Sequence, residues 1–458
     1  MLSIPQALLR IKGNTTDYLP ERIVYALCRE FQLSFRKRLL TPLLTTQLFL
    51  RQVLEGNKSI AELRRIAKLP FAESSYCQAR QRLPLAFFLR LQRAVVGRCL
   101  ASAAGDLDAL WMGRHRVLFV DGSSFSMPDT PDLQDEFGQP GGQAPGCGFP
   151  TAHLLVQFDA HHGYLVRAIP APLRTHDMAD VALTHKDLKP GDVVGGDRAF
   201  CSFAHLALLS QRGCFGLFRA HQRLIISFKP HRSHIEPGRA KKGQAGLPRS
   251  RWVRRLGRDD QVVEYLKPKE CPTWMDPEAY AALPATLLVR ELRVQVKTPG
   301  CRVEELTLVT TLLDHKRYPK EALARLYERR WSAEVNLRHL KGTLKLDVLR
   351  CETYKGVLKE LAMLVVVYNL VRQVMAEAAR AQRVKPERIS FADALRWLRE
   401  GARGEELDWL KINPERPGRV EPRVRKRRPK QYRLMNKPRA VLRDALLHET
   451  LPPKEDTD

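Results

Sequence analysis

Two aspartates each follow a short apolar run of the kind that forms a buried strand. Asp121 follows Val117-Leu118-Phe119-Val120, and Asp197 follows Val193-Val194 and two glycines. A carboxylate just past a strand end faces a cleft, and the buried strand holds its backbone in place. By itself, an aspartate in such a position is more often a turn or helix-cap residue. The two aspartates therefore need a further carboxylate before they indicate a catalytic site.

Carboxylates on adjacent strands suit phosphoryl transfer, because they can share divalent cations. That reaction uses two metal ions about 4 Å apart, one that activates the nucleophile and one that stabilises the leaving oxygen. Oxygen ligands select Mg²⁺ or Mn²⁺. The expected cofactor is therefore a pair of Mg²⁺ ions, for which Mn²⁺ can substitute.

The third carboxylate is predicted on a helix that carries a hydroxyl and two cations on the same face. Tyr327, Arg330, Glu334 and Lys341 stand at offsets 0, 3, 7 and 14 along the chain. At about 100° per residue they fall within about 60° of arc. A solvated helix explains an Arg330–Glu334 charge pair, but it does not explain the alignment of Tyr327 and Lys341. Gly342 can end the helix, so the position of Lys341 depends on where the helix stops.

The elements that must position these side chains alternate between strand and helix. Strands are predicted at 117–120, 153–159, 164–170, 192–194 and 214–219, and helices near 177–186 and 203–212. The resulting order is β-β-β-α-β-α-β. Residues 220–312 interrupt the alternation and are predicted to be a β-rich insertion, basic at first and strand-like from Leu287. Helices resume at Pro319 and continue, with breaks, to about Ala379.

The first 105 residues carry apolar side chains at helical spacing. Two short helices around Lys68-Leu69-Pro70 are consistent with a helix-turn-helix. That motif would present Ser75, Gln78, Arg80 and Gln81 to DNA. A plain helical bundle with polar exposed faces explains the same pattern.

The charge of the chain predicts a polyanionic partner. Lys and Arg number 77 against 50 Asp and Glu, a formal net charge of +27 and a pI near 10.0. Nucleic acid is the first candidate, an anionic membrane surface is the second, and an ordinary basic enzyme remains an alternative. The basic stretches 229–258 and 419–439 are candidates for contacts with a phosphate backbone. A solvated tail explains the second stretch equally well.

The remaining composition predicts a cytoplasmic protein. The nine cysteines are scattered, odd in number and without a C-x-x-C pair, which favours a reducing compartment. The N-terminus shows no signal peptide. The longest apolar stretch, Leu361 to Tyr368, is too short to cross a bilayer.

The helix motif resembles a known family signature. Y-x2-R-x3-E-x6-K is the signature of the insertion-sequence-four family of bacterial DDE transposases, and all four positions match. The blocks Val120-Asp121-Gly122-Ser123 and Gly196-Asp197-Arg198-Ala199-Phe200 match the other two carboxylate blocks of that family. Similarity also extends to segments 40–46, 51–57, 76–84 and 422–430, so it covers most of the chain.

The resemblance implies a fold and a division of the chain. The fold class is α/β, with a ribonuclease-H-like core to which the order β-β-β-α-β-α-β conforms. The expected domains are an N-terminal helical DNA-binding domain, the first part of the core, the insertion, the second part of the core with the Glu helix, and a basic C-terminal region. Their boundaries are 1–110, 111–219, 220–312, 313–382 and 383–458.

The resemblance also implies cut-and-paste transposition. Water would nick one strand at the element end, and the freed 3′-OH would attack the opposite strand to leave a DNA hairpin. The hairpin would then be opened before strand transfer into target DNA. The expected partners are transposon-end and target DNA in the bacterial nucleoid, with at least a dimer in the synaptic complex.

Roles for single residues follow from this implied activity. Asp121, Asp197 and Glu334 would bind the metal ions. Arg330 and Lys341 would hold phosphates, and Tyr327 would donate a hydrogen bond to one. Trp331 would stack on a displaced base, with a core tryptophan as the alternative. Arg198 would contact a phosphate or pair with a carboxylate.

Other interpretations stay open at this point. The chain can be a ribonuclease-H-like nuclease without joining activity, or a domesticated DNA-binding regulator. Retention of all three carboxylates argues against a decayed site, and the helical signature favours a transposase. A second metal site at His161, His162, His176 and Asp177 is disfavoured, because histidine pairs at turns are more often unliganded.

Overall fold

A nine-stranded sheet with helices packed against it forms the centre of the computed structural model. The structure describes residues 15–35, 38–173, 175, 178–236, 247–296, 304–400, 407–414, 435 and 437–448. Three of the features predicted above lie wholly or partly outside these residues: the pair His176 and Asp177, part of the 229–258 stretch and most of the 419–439 stretch. The mixed α/β class predicted from the sequence is confirmed.

Six helices precede the sheet in the described residues. They are α1 Thr15–Tyr18, α2 Glu21–Glu30, α3 Pro42–Leu54, α4 Ile60–Ala67, α5 Glu73–Arg82 and α6 Leu85–Ala103. Thr41 caps α3 by accepting a hydrogen bond from the Leu44 N–H at 3.2 Å, and Ser59 caps α4 in the same way. Lys68, with φ of 51°, ends α4 in the left-handed conformation.

The second helix of the predicted helix-turn-helix does not present all four expected side chains outward. Ser75, Gln78 and Gln81 are exposed on α5. Arg80 instead faces inward, with its guanidinium carbon 4.0 Å from the centre of the Phe49 ring and Nη2 2.8 Å from the Cys351 sulfur. The prediction that Arg80 faces DNA is wrong. Its side chain is held by the Phe49 ring and the Cys351 thiol, which lie far from Arg80 in the sequence.

The first five strands follow the predicted order, and so do the helices after the third and fourth strands, but a helix that was not predicted lies between the first two strands. They are β1 Val117–Ser126, α7 Pro131–Phe137, β2 Thr151–Asp159, β3 Leu165–Pro172, α8 Val181–Thr184, β4 Val193–Gly196, α9 Phe203–Gln211 and β5 Phe215–Arg219. Spatially the strands are arranged β3-β2-β1-β4-β5. β1, β4 and β5 are parallel, and β2 is antiparallel to both β1 and β3.

The strands of the predicted insertion extend the same sheet. They are β6 Arg249–Gly257, β7 Asp260–Leu266, β8 Thr286–Val296 and β9 Glu304–Thr310, with α10 Pro277–Ala281 between β7 and β8. β9 pairs antiparallel with β5, and the order continues β5-β9-β8-β7-β6. The alternating strands β8 and β9 were predicted. The strands β6 and β7 were not predicted, because the segment before β6 is rich in basic residues and glycine.

Five α-helices follow the sheet in the described residues, and one of them is long and apolar. They are α11 Lys320–Glu328, α12 Trp331–Arg338, α13 Tyr354–Ala381, α14 Phe391–Glu400 and α15 Arg439–His448. α13 has the length and composition of a membrane span, which the short run Leu361–Tyr368 did not predict, but 94% of its most apolar window is buried inside the protein. Its hydrophobicity is therefore accounted for by packing in the core.

Candidate active site

Asp121 lies inside β1 rather than past its end, which corrects the sequence-based prediction. β1 continues for five residues to Ser126 and pairs with β2 along this stretch, Asp121 opposite Val156. Its parallel pairing with β4 stops at Phe119. Asp121 therefore lies where β1 no longer pairs with β4, and the pairing with β2 holds its backbone. Its Oδ1 accepts a hydrogen bond from the Gly122 N–H at 2.9 Å.

Asp197 follows the last residue of β4 directly and begins a single 3₁₀ turn. Two glycines before it allow β4 to approach β1 closely. A Cβ on Gly195 would stand 2.7 Å from the Phe119 ring, and one on Gly196 would stand 2.9 Å from the Val120 side chain. Because β1 and β4 are parallel, their carboxyl ends meet at the same edge of the sheet.

A pair of buried histidines supports the turn that follows Asp197. His205 Nδ1 lies 2.8 Å from the Phe200 carbonyl oxygen, and its Nε2 lies 3.1 Å from His185 Nε2. Since the carbonyl accepts, His205 Nδ1 donates and its Nε2 accepts from His185. Burial lowers the pKa of His205 to about 4 and the pKa of His185 to about 3. Both rings are therefore neutral near pH 7 and act as uncharged hydrogen-bonding groups.

The predicted single helix from Tyr327 to Lys341 is wrong. α11 ends at Glu328 and α12 begins at Trp331, with Arg330 at its N-cap, and a π-helical turn, His339–Thr343, follows α12. Between the helices the backbone stays right-handed, but the N–H groups bond three residues back, Arg330 to Tyr327 and Ser332 to Arg329. This short tightening of the helix changes how its side chains are spaced around the axis.

Arg330 connects the side chains on this segment. Its Nη2 donates to Glu334 Oε1 at 2.9 Å, and its guanidinium carbon lies 5.8 Å from the centre of the Tyr327 ring. Tyr327 is only 5% exposed. Burial raises the pKa of Tyr327 to about 12, although the nearby Arg330 opposes the shift. The phenol therefore keeps its proton and can donate a hydrogen bond.

The three carboxylates act on one another electrostatically. Burial, and to a lesser extent the negative charges of Glu334 and Asp197, raise the pKa of Asp121 to about 6. The Gly122 N–H and Arg330 oppose this rise. Asp121 is thus close enough to both Glu334 and Asp197 for their charges to act on it, and Arg330 acts on Asp121 and Glu334.

The other predicted DNA-binding residues lie around this cluster at different distances. Lys341 Nζ is 3.5 Å from Asp347 Oδ1, and the Asp347 carbonyl accepts from the Ser126 N–H at 3.0 Å. Ser126 lies five residues beyond Asp121 on β1, which corresponds to about 17 Å. Lys341 is therefore paired with a residue that is hydrogen-bonded to the far end of β1. Arg198 is exposed next to Asp197.

Trp331 is 43% exposed, so the alternative of a core tryptophan is wrong. It lines an open groove together with Val335 and His339. Trp331 stands three residues before Glu334, so the two side chains occupy neighbouring positions on the helix surface.

Arg219 is a residue at this site that the sequence reasoning missed. It is the last residue of β5, which is parallel to β4, so it lies at the same sheet edge as Asp197. Its positive charge acts on Tyr327 and lowers the pKa of that phenol, as Arg330 does. The signal was present, since Arg219 is the charged residue that closes the apolar run from Cys214.

Comparison with known proteins identifies the class of this chain. Residues 112–370, more than half of the sequence, match the family model described as the transposase DDE domain. The chain belongs to this family of DDE transposases, enzymes that cleave DNA and transfer its strands by divalent-metal chemistry.

The relatives give a narrower assignment within that class. The chain is 23% identical over 448 residues to the transposase InsG for insertion sequence element IS4 of Escherichia coli strain K12, covering 91% of this chain and 92% of that protein. The insertion-sequence-four assignment made from the sequence is confirmed. Among solved structures, the piggyBac transposase synaptic complex with hairpin DNA has a TM-score of 0.40 and 9% identity, covering 87% of this chain and 79% of that chain.

Proposed function

We propose that Asp121, Asp197 and Glu334 bind the divalent ions of this DNA transposase. The observation that carries the proposal is the placement of Asp121 on β1 and of Asp197 after the parallel strand β4 at one sheet edge, where the charges of Asp197 and Glu334 both act on Asp121. A cluster of carboxylates that repel one another gains stability from cations, and an all-oxygen ligand set suits Mg²⁺, with Mn²⁺ as a substitute. We infer two ions, since DNA strand cleavage uses one for each of the attacking and leaving oxygens.

The chain's own groups would hold the DNA backbone against these ions. Arg330 has one nitrogen on Glu334 and further N–H groups with which to bind a phosphate oxygen in a charge-assisted contact. The protonated Tyr327 phenol donates to a second oxygen. Arg198 and Arg219 flank Asp197 and supply positive charge on the other side of the scissile phosphate.

The reaction proposed is cut-and-paste transposition of an insertion sequence. The first step is hydrolysis of one strand at the transposon end. The freed 3′-OH then attacks the opposite strand to form a hairpin, and after the hairpin opens the same hydroxyl joins to target DNA. The proposed phosphate contacts of Arg330 and Tyr327 support this order of reactions, because the transposon end must stay bound between the successive steps.

The core of this enzyme is proposed to be ribonuclease-H-like. The strand order β3-β2-β1-β4-β5 with β2 antiparallel supports this, as does the position of Asp121 on β1 and of Asp197 after β4. We keep the domain boundaries 1–110, 111–219, 220–312, 313–382 and 383–458. The insertion shares the core's sheet, so it is proposed to be an extension of the core and not a separate body.

The DNA path is proposed to run from the carboxylates toward Lys341 in one direction and Trp331 in the other. The edge strand β6 carries Arg254 and Arg255 exposed, and we propose that they contact phosphates of the bound end. Two transposon ends are proposed to be held by a dimer, within the bacterial nucleoid.

The experiment is cleavage of a labelled duplex that contains the transposon end, in Mg²⁺. Glu334→Gln is expected to bind the duplex and leave it uncut. Glu328→Gln, an exposed glutamate at the end of α11, is the matched control and is expected to cleave normally. Equal cleavage by wild type and Glu334→Gln would refute the proposal. Cleavage by wild type without strand-joined products would instead indicate a nuclease.

A further inference from the structure

A second group of metal-ligating side chains lies outside the carboxylate cluster. It consists of Asp106, His161 and His162, and one ligand atom from each residue lies within 4.8 Å of the other two. Asp106 Oδ2 is 3.1 Å from His162 Nε2 and 3.6 Å from His161 Nε2. Both ring nitrogens thus converge on one carboxylate oxygen, and a small displacement would admit an ion among them.

The backbone of the histidine pair is held in place from several sides. Arg372 Nε donates to the His162 carbonyl at 2.7 Å, and Arg329 Nη2 donates to the Ala160 carbonyl at 3.0 Å. The His162 N–H donates to Asp159 Oδ1 at 2.7 Å. These bonds hold the backbone of the turn between β2 and β3 in place, which favours metal binding over a mobile turn.

An independent observation concerns the far side of the His162 ring. His162 is 5% exposed, and its Nδ1 is buried without a hydrogen-bond partner. Asp159 Oδ1 lies 3.5 Å from this nitrogen, just beyond bonding distance. Metal-binding histidines usually donate their second ring N–H to a carboxylate. A shift of a few tenths of an ångström would complete such a contact when Nε2 binds an ion.

We propose that Asp106, His161 and His162 form a Zn²⁺ site separate from the catalytic carboxylates. Two imidazoles and one carboxylate are a typical ligand set for Zn²⁺ with three protein ligands and one open position. Nitrogen ligands also distinguish this site from the all-oxygen cluster, which suits Mg²⁺. The open position faces a cavity of about 1080 Å³, which Asp106 and both histidines line.

The ion would cross-link two parts of the chain that are distant in sequence. Asp106 lies just after α6, the last helix before the sheet, whereas the histidines lie in the turn between β2 and β3. Arg329 connects the same turn to the junction between α11 and α12, next to the catalytic Arg330. The zinc site therefore lies against the back of the segment that carries Glu334.

The test is Zn²⁺ titration of the full chain, stripped of metal and kept in excess Mg²⁺ so that the carboxylate cluster is occupied. Wild type is expected to bind one Zn²⁺ per chain. His161→Gln and Asp106→Asn should each weaken binding at least about 10-fold, and Asp159→Asn by about 10- to 100-fold. His234→Gln removes an exposed histidine and is the matched control, with unchanged affinity.

Other results would overturn the proposal. Absence of Zn²⁺ binding by wild type, or wild-type affinity in His161→Gln and Asp106→Asn, would leave the cluster as a hydrogen-bonded network only. Loss of Zn²⁺ binding in Asp121→Asn would assign the ion to the catalytic cluster instead. If a ligand variant fails to fold, the visible spectrum of Co²⁺-loaded wild type decides, since a tetrahedral spectrum supports the site and an octahedral one contradicts it.

Discussion

Arg330 donates to Glu334 at 2.9 Å across the junction between two helices, and the same guanidinium acts on Asp121 and Tyr327. One cation thus contacts the helix carboxylate Glu334 and acts on a strand carboxylate and a phenol. Its position depends on the tightened backbone at the junction, because Arg330 is the residue from which α12 begins.

Replacing Arg330 by alanine should lower cleavage of the transposon end by about 10²- to 10³-fold, the usual effect of losing one donor to developing charge. Because Arg330 lowers the pKa of Asp121, its loss should also move the acid limb of the kcat/KM profile to higher pH. Single-turnover cleavage across the pH range measures both effects. Arg325→Ala, an exposed arginine on α11, should change neither, and an unaltered profile in Arg330→Ala would contradict this role.

Asp121 should destabilise the metal-free protein near neutral pH. Its folded-state pKa of about 6 lies above the ordinary value of 3.8, mainly because of burial. The folded state therefore binds more protons than the unfolded state in this window, and stability falls as the pH rises through it. At pH 7 in a chelator, Asp121→Asn should raise the free energy of unfolding by on the order of 1–2 kcal/mol.

Thermal unfolding of the two proteins with and without Mg²⁺ measures this effect. Mg²⁺ should stabilise wild type and remove the advantage of Asp121→Asn. Asp135→Asn, an exposed aspartate on α7, controls for loss of one negative charge. A lower melting temperature of Asp121→Asn in chelator would show that its carboxylate is not under electrostatic strain.

The buried pair His185 and His205 should make the protein sensitive to acid. Burial lowers the pKa of both rings below the ordinary 6.5. At a pH between the lowered and the ordinary pKa, the unfolded state therefore binds protons that the folded state does not bind. The stability contributed by the pair is present above pH 6.5 and is lost as the pH falls from there toward about 4. Urea unfolding at pH 7.5 and pH 5 should show a smaller loss for His185→Gln than for wild type. His234→Gln should behave as wild type, and equal losses in all three would contradict the prediction.

Gly196→Ala should disturb Asp197 through its backbone. The added Cβ would lie 2.9 Å from Val120 and 3.0 Å from Phe200, both in the core. Forced repacking of this kind costs about 1–3 kcal/mol, and a shift of the neighbouring carboxylate should lower cleavage by up to about 10²-fold. Gly97→Ala, in open space on α6, is the control and should not reduce stability. Wild-type cleavage in Gly196→Ala would show that the close approach of β4 to β1 is not needed.

Local pattern was sufficient for much of this fold. The strand before Asp197 and the helix α9 were predicted because each is a compact apolar run closed by glycine or a charged residue. The end of β1 was not predicted, because Gly122-Ser123-Ser124 is typical of a loop. This segment is a strand because it pairs with β2. The joining of β9 to β5 also depends on which strands become neighbours, and side-chain alternation does not determine that.

In the site, too, features with a local sequence signal were predicted, and features that depend on residues far away in the sequence were not. Tyr327, Arg330 and Glu334 could be grouped from their spacing, whereas Arg219 was missed. The break at Arg330 could not be predicted, because neither glycine nor proline marks it. Arg80 was misjudged because its partners, Phe49 and Cys351, lie far away in the sequence.

The most direct test of the central claim is metal-specific cleavage by Asp197→Cys, compared with Asp197→Ala. If Asp197 binds the catalytic ions, both variants should fail to cleave the transposon end in Mg²⁺, because a thiolate is a poor ligand for that hard ion. Mn²⁺, which accepts sulfur more readily, should restore cleavage to Asp197→Cys and not to Asp197→Ala. Equal responses of the two variants to Mn²⁺, or wild-type cleavage by either of them in Mg²⁺, would contradict metal binding by this carboxylate.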